Sequence, residues 1–425
     1  FGAITCRSPV VTASPTAIDP VVTGRAAALD WVESSGYPTR RTEAWRYAPH
    51  KKLGELSFGP PVTLTTNVPN IAELMPDLDG PRIVVVNGVV DVDLSMMISP
   101  AGLRLSSLLD ARREQPDRLA VHFDRTDGQI SDAYMALNLA FGGDGAVVRV
   151  DDGVKLDVPI HIVDVEVPDE TRNASCTGVV IELGVGSSAT VVETRIGVGA
   201  EFGGSNIRTT IALGENSSLE HVLLQNVPSS HVHLSNIDVT QGANSVLRAR
   251  SFNLGALYGR VAYSVDLAGP GAHADLSGLF FGFGDQVLDQ QINVIHSAAN
   301  CTSRQTYRGV LDDASTGIFN GGIDVLRGAD GTDAEQSNKN LILSDRAEVN
   351  TQPRLEILAD EVACKHGATV GQLDESAMYY MRSRGIPAVE ARRLLINGFA
   401  DQVVDEVSLE AVRVWIAQRL GHEDV

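Results

Sequence analysis

The chain has 425 residues, with 54 acidic against 34 basic side chains, a net charge of −20 and a pI near 4.8. That charge repels phosphate backbones and anionic bilayers, so nucleic-acid and membrane-surface partners are disfavoured. The length allows two or three domains with a sizeable core. The four cysteines, Cys6, Cys176, Cys301 and Cys364, are scattered with no CxxC pair. This is neither a disulfide scaffold nor a zinc ribbon, and a reducing cytoplasm is the expected setting. No run of 18 apolar residues offers a membrane span.

Residues 1–22 are rich in Ser, Thr, Pro and small side chains and lack a basic region followed by a long apolar run. Disorder is expected there, without a secretory signal. The chain does not begin with methionine, as is expected of a processed or incomplete chain. Residues 23–143 read as a helical and mixed N-terminal domain. Thr23 to Gly36 has helical spacing at Ala27, Trp31 and Val32, with Gly36 as its stop. The segment PTRRTEAWRY, 38–47, reads as a surface loop with Trp45 tucked onto the core. Asn87-Gly88 between apolar runs marks a hairpin over Ile83 to Val92. Leu103 to Arg113 and Ser131 to Phe141 read as helices, the second apolar along Ala133, Ala136, Leu137 and Ala140.

From Gly145 the pattern becomes Val, Ile, Leu and Thr alternating with polar residues. A turn signature recurs: Gly184-x-Gly186-Ser187, Gly214-x-Asn216-Ser217, Gly242-x-Asn244-Ser245, Gly269-x-Gly271-Ala272, and a degenerate Ala298-x-Asn300-Cys301. The period of roughly 30 residues is too short for propeller blades and fits a β-solenoid coil. Gly or Asn at the third position predicts positive φ, and the small fourth residue predicts an inward site with little room. Residues 144–370 therefore read as a mainly β, parallel β-helix core. Both ends of such a coil leave edges that must be capped or paired, and the N-terminal domain is placed to cap one. Residues 371–425 read as helices. Asp374 caps the first and Gly385 stops it, Pro387 starts the second, and Ser408 caps the third. Three amphipathic helices after a solenoid either pack on it or bind a partner.

Chemistry concentrates at Pro353 to Gly385. If Val362 to His366 is a strand, Cys364 and His366 point the same way and form a candidate metal-ligating pair. A buried Cys beside a hydrogen-bonded His is the plainer alternative. Cys301 aligns with Ser and Ala of the repeat and reads as a small filler. His231 and His233 also share a strand face, and a solvated face is the plainer reading for them. Neither a GxxxxGK[ST] phosphate loop nor a GxSxG elbow occurs, so the chain is not expected to hydrolyse ATP or act as such a hydrolase.

The run PRLEILADEV, 353–362, with Cys364, His366-Gly367-Ala368-Thr369 and Gly371-Gln372-Leu373-Asp374-Glu375, resembles the SufB/SufD family of the SUF iron–sulfur cluster assembly machinery. So do His296, Thr302-Ser303-Arg304, Tyr307 to Leu311, Gln336-x-Asn338-x-Asn340-Leu341 and PTRRTEAWRY. Gly367, where the SufB branch has Glu, and the missing CxxC favour the SufD branch over a SufB-like paralogue. Ser376 departs from the usual acidic residue or alanine. The resemblance implies a right-handed parallel β-helix between an N-terminal helical domain and C-terminal helices, and a non-catalytic scaffold subunit. It implies an edge-to-edge heterodimer with SufB and two copies of the ATPase SufC bound through the C-terminal helices; whether the chain alone forms a homodimer is left open. It places His366, with Cys364, at a cluster-assembly site on the SufB interface. No tightly bound cofactor is implied for the chain alone, only transient iron or cluster, and reduced flavin, in the complex. The competing readings are a β-helix carbohydrate-active enzyme, disfavoured by only 5% aromatic residues, and an adhesin-like solenoid, disfavoured by the lack of an export signal.

Overall fold

In a computed structural model of the chain, the described residues are 9–11, 25–59, 68, 70–123, 130–168 and 172–421. Most strands alternate between a nine-stranded and a ten-stranded sheet, so each turn of chain adds one strand to each. Among the strands from Gly145–Val150 to the C-terminal end, every pairing with one another is parallel and in regular register. The result is the expected parallel β-solenoid, of about eight turns. Ile162, Val191, Ile237, Leu276, Ile292 and Phe280 belong to one continuous core between the sheets.

The corner signature behaves as its residue types predict. Gly186, Asn216, Asn244, Gly271 and Asn300 have φ from 54° to 72°, a region where an L side chain with a branched Cβ is strained. The corners also bond to one another: Asn216 N donates to Ala243 O at 2.9 Å, and Asn244 N to Pro270 O at 3.0 Å. Ser187, Ser217 and Ser245 are buried and donate back to the first glycine's carbonyl. Gly214 itself has no positive φ. Its glycine is required by close stacking, since a Cβ there would lie 2.9 Å from Gly184 C, Leu183 O and Val185 N.

The N-terminal end is closed by antiparallel strands. The hairpin of Arg82–Val86 and Val89–Met96 turns at Asn87 (φ 47°) and Gly88 (φ 78°) and extends the ten-stranded sheet. Leu103–Ser107 is a strand, not the start of a helix, and pairs antiparallel with Gly145–Val150. Its Leu-Arg-Leu-Ser alternation buries Leu103 and Leu105 on one face, and the helix begins only at Leu108, capped by Ser107. Pro116–Phe123 is a further helix that the sequence reading missed. Arg25–Ser35 and Ala133–Phe141 pack with Trp45, Leu53 and Phe58 on the outer face of the nine-stranded sheet. The expected disorder over 1–22 lies outside the described residues, apart from Val10–Val11, which pair with Ser57–Phe58.

The tail helices divide. Ala388–Val404 and Glu410–Arg419 bury Ala400, Val403, Val412, Trp415 and Ile416 against Val222, Leu224, Phe252 and Leu279 on the outer face of the ten-stranded sheet. Glu375–Ser383 buries no residue. Asp374 caps it as expected, accepting from Ser376 N at 2.8 Å, and Gly385 (φ 89°) follows its end. Ser408 is not a cap; its hydroxyl donates to Glu220, and Leu409 holds the cap position.

Candidate functional site

The solenoid ends in two strands, Glu348–Ile357 and Val362–Gly371, each paired on one side only. Neither contains a fully buried residue. Cys364 and His366 lie on the second strand, in register with Ala334 and Gln336. Both partners are buried, so the pair belongs to the inward row of the solenoid, exposed where the coil stops.

The two side chains sit in different surroundings. Cys364 is half-buried and packs with Leu355, Ala359 and Val362 against Ile323, Val325 and Ala329. Burial pushes its thiol pKa up, partly offset by an Ala334 backbone hydrogen bond, so the isolated chain holds a thiol there rather than a thiolate. His366 is exposed. Gly367 has nothing within 4 Å of where a Cβ would stand, so this chain's own packing does not require glycine there. Lys365 points to the opposite face and pairs with Glu335 at 3.0 Å. Among the described residues, no three His, Cys, Asp or Glu side chains converge as a metal site. Cys364 and His366 could supply two ligands of a tetrahedral set, and the remainder would have to come from elsewhere.

Beneath the pair lies an amide ladder. Gln336, Asn338 and Asn340, two residues apart on Thr332–Ile342, all face inward and are buried. Asn338 accepts from Thr351 Oγ1 at 2.9 Å, and Asn340 Nδ2 donates to Thr369 O at 3.2 Å. The period-two spacing of three amides in QxNxNL was the signal for one shared face.

Several other described cysteines and histidines have structural environments. Cys301 is fully buried at a corner, with Sγ 3.4 Å from Gly269 O, as a small filler would be. Cys176 is buried under the N-terminal helices, and burial raises its pKa to about 12. Cys6 lies outside the described residues. His231 and His233 are not on a solvated face: both are fully buried. Alternation showed that they share a face but could not show that it was the inner one. His233 bonds Ser205 and Ser235 at 2.8 and 2.7 Å, and burial lowers its pKa to about 3. Sequence reasoning also missed a buried ionisable group deeper in the coil. There Glu193 accepts from His221 at 2.7 Å and from Thr209 at 3.1 Å and pairs with Arg195. Burial lowers His221 to about 3 and Arg195 to about 10.

The PTRRTEAWRY segment roofs a groove of about 680 Å³ on the outer face of the nine-stranded sheet, floored by Asn236, Ser264, Gln291 and Asn320. Trp45 is buried as expected. Its ring stacks on Tyr134 at 4.8 Å and is covered by the Arg260 guanidinium at 4.1 Å. The groove's tryptophan is thus already engaged and offers no open ring for a sugar to stack on.

Against known families, residues 167–399 match the model described as SUF system FeS cluster assembly, SufBD core domain, and residues 12–162 match the SufBD protein N-terminal region. An iron–sulfur cluster assembly SufBD family protein of Synechocystis sp. is 28% identical over 92% of this chain and 89% of its own length. The iron–sulfur cluster assembly protein SufD of Escherichia coli is 28% identical over 91% of this chain and 89% of its own. The Bacillus subtilis SufD is 29% identical over 76% and 74%. With more than half of its length matched by the core model, the chain belongs to the SufBD family of SUF-system iron–sulfur cluster assembly proteins.

Proposed function

We propose that this chain is a SufD-type scaffold subunit, non-catalytic itself, whose open solenoid end pairs edge to edge with SufB. The observation that carries this reading is the pair of ten-residue strands with one free edge each, placed beside Cys364 and His366. A free edge presents unpaired N–H and C=O groups that a partner strand satisfies. Two candidate ligands at that mouth make half a site, to which a SufB cysteine would add a further ligand. Iron and the nascent cluster pass through as substrate, and reduced flavin acts on the assembled complex, with no flavin contact assigned to a residue of this chain. The open surface around Glu375–Ser383 supports docking of SufC: Val370, Tyr379, Tyr380 and Val389 are all exposed large hydrophobics. No described helix is long and apolar enough to cross a membrane, in keeping with work in the cytoplasm.

The test is His366→Ala, expressed at matched level in a SUF-dependent strain and in co-purification with SufB and SufC of the same organism. The expected outcome is an intact complex with cluster assembly reduced at least several-fold. Full rescue, or failure only through loss of the complex, removes His366 from the site.

A further inference from the structure

Gln336 lies one register step inward from His366 and is 2% exposed. Its Nε2 donates to Gln305 Oε1 at 2.8 Å, and Gln305 Nε2 donates to Gly322 O at 3.1 Å. The peptide carbonyl at the end of this chain can only accept. Gln305 must therefore turn its nitrogen to Gly322 and its oxygen to Gln336, and Gln336 must turn its nitrogen to Gln305. The network itself fixes both amide orientations. What remains is Gln336 Oε1, a buried acceptor with no hydrogen-bond partner. Gly321 makes room for this arrangement, because a Cβ there would collide with Gln336 Nε2.

A buried carbonyl without a donor is uncommon and calls for an explanation. Neighbouring strands lie about 4.8 Å apart, so same-face side chains one step away are within reach. Among the mouth residues, Ala368 has no side-chain donor and Cys364 a weak one. Thr351 spends its hydroxyl proton on Asn338. His366, exposed and in register, carries a strong N–H.

We propose that Gln336 is a positioning residue for His366. Its side-chain carbonyl accepts the imidazole N–H, holds one tautomer, and leaves the other ring nitrogen with its lone pair turned away from the lumen. That is the arrangement a ligating or proton-accepting histidine needs. The proposal rests on the role given to His366 above. It also gives the Gln of QxNxNL a task distinct from that of the two asparagines beside it.

The experiment is long-range proton–nitrogen NMR on the full chain labelled with ¹⁵N-histidine, without iron, at alkaline pH. The His366 signals are assigned by their loss in His366→Ala. In the wild type they should show one dominant tautomer. In Gln336→Leu they should move to the averaged shifts of a freely exchanging ring, with the other histidines unmoved. Gln336→Glu, which keeps an acceptor, should restore the single tautomer. Identical His366 shifts in the wild type and Gln336→Leu overturn the proposal. If Gln336→Leu does not fold, Gln336→Asn draws the carbonyl back by one methylene; loss of the dominant tautomer supports the proposal and its retention overturns it. The readout needs no cluster assembly, so it stands or falls apart from the complementation result for His366→Ala.

Discussion

The two ends of the solenoid are built from the same kind of strand and finished in opposite ways. At the N-terminal end, Gly145–Val150 and Ile160–Glu166 are buried along their whole length. They are flanked by the five-residue strand Leu103–Ser107 and by a hairpin whose register slips between Arg82 and Val84. The outermost strand there carries Asp91 and Asp93. Short, irregular, charged edges discourage further pairing. At the C-terminal end, Glu348–Ile357 and Val362–Gly371 keep regular ten-residue registers to the last strand and bury no residue fully. One end is made to stop the sheet, and the other leaves it ready to continue.

The largest contrast is expected from core truncation. Ile162→Ala removes a fully buried side chain near the closed end and should destabilise by about 2–5 kcal/mol. Ile357→Ala, 40% exposed at the open end, should cost less than about 0.5 kcal/mol. Denaturant unfolding of both variants measures this, and equal losses would mean that the open end is as tightly packed as the closed one.

A smaller effect is expected midway between the ends. Gly214→Val pushes a branched side chain against the backbone of the preceding corner and should cost about 1–3 kcal/mol through overpacking. Gly367→Val, at the open end with free space around it, should leave the melting temperature nearly unchanged. A matching drop at Gly367 would show that its surroundings are closed in solution.

Acid should act through the interior histidines. Burial lowers the folded-state pKa of His161, His221 and His233 to about 3, and that of His231 and His296 to about 4. Each is held neutral in the folded chain but takes up a proton near its ordinary value of 6.5 when unfolded. The unfolded state therefore binds more protons between those limits. Stability is full above about pH 6.5 and falls as pH drops toward 4 and 3. Thermal melts from pH 7.5 to 4.5 should show a steady decline, with a shallower slope in His233→Gln. A flat profile would contradict neutral, buried histidines.

The architecture was legible because its constraint recurs. Every turn needs a corner residue at positive φ, so Gly186, Asn216, Asn244 and Gly271 stand out at a fixed period. The candidate pair was legible because residues two apart on a strand share a face. Alternation alone could not say which face was inward, so His231 and His233 read as solvated. Gly214 has no positive φ, and the stacking distance that requires its glycine leaves no mark on a single turn. Leu103–Ser107 was lost in the helix that follows, since five alternating residues are too few to separate from helical spacing. The unpartnered Gln336 carbonyl depends on a chain of amides from three strands, which no local pattern records.

The one-dimensional stacking of the coil has a kinetic consequence. Every interior turn is held by two neighbours, and the turn bearing Cys364 and His366 by one. In a stacked array, stability is close to a sum of unit and nearest-neighbour terms, so the terminal unit detaches at the smallest free energy and most often. Amide hydrogens of Val362–Gly371 should exchange with solvent faster than those of any strand further inside. A docking partner that adds a second neighbour would slow that exchange, coupling the rigidity of the mouth to the presence of the chain that covers it.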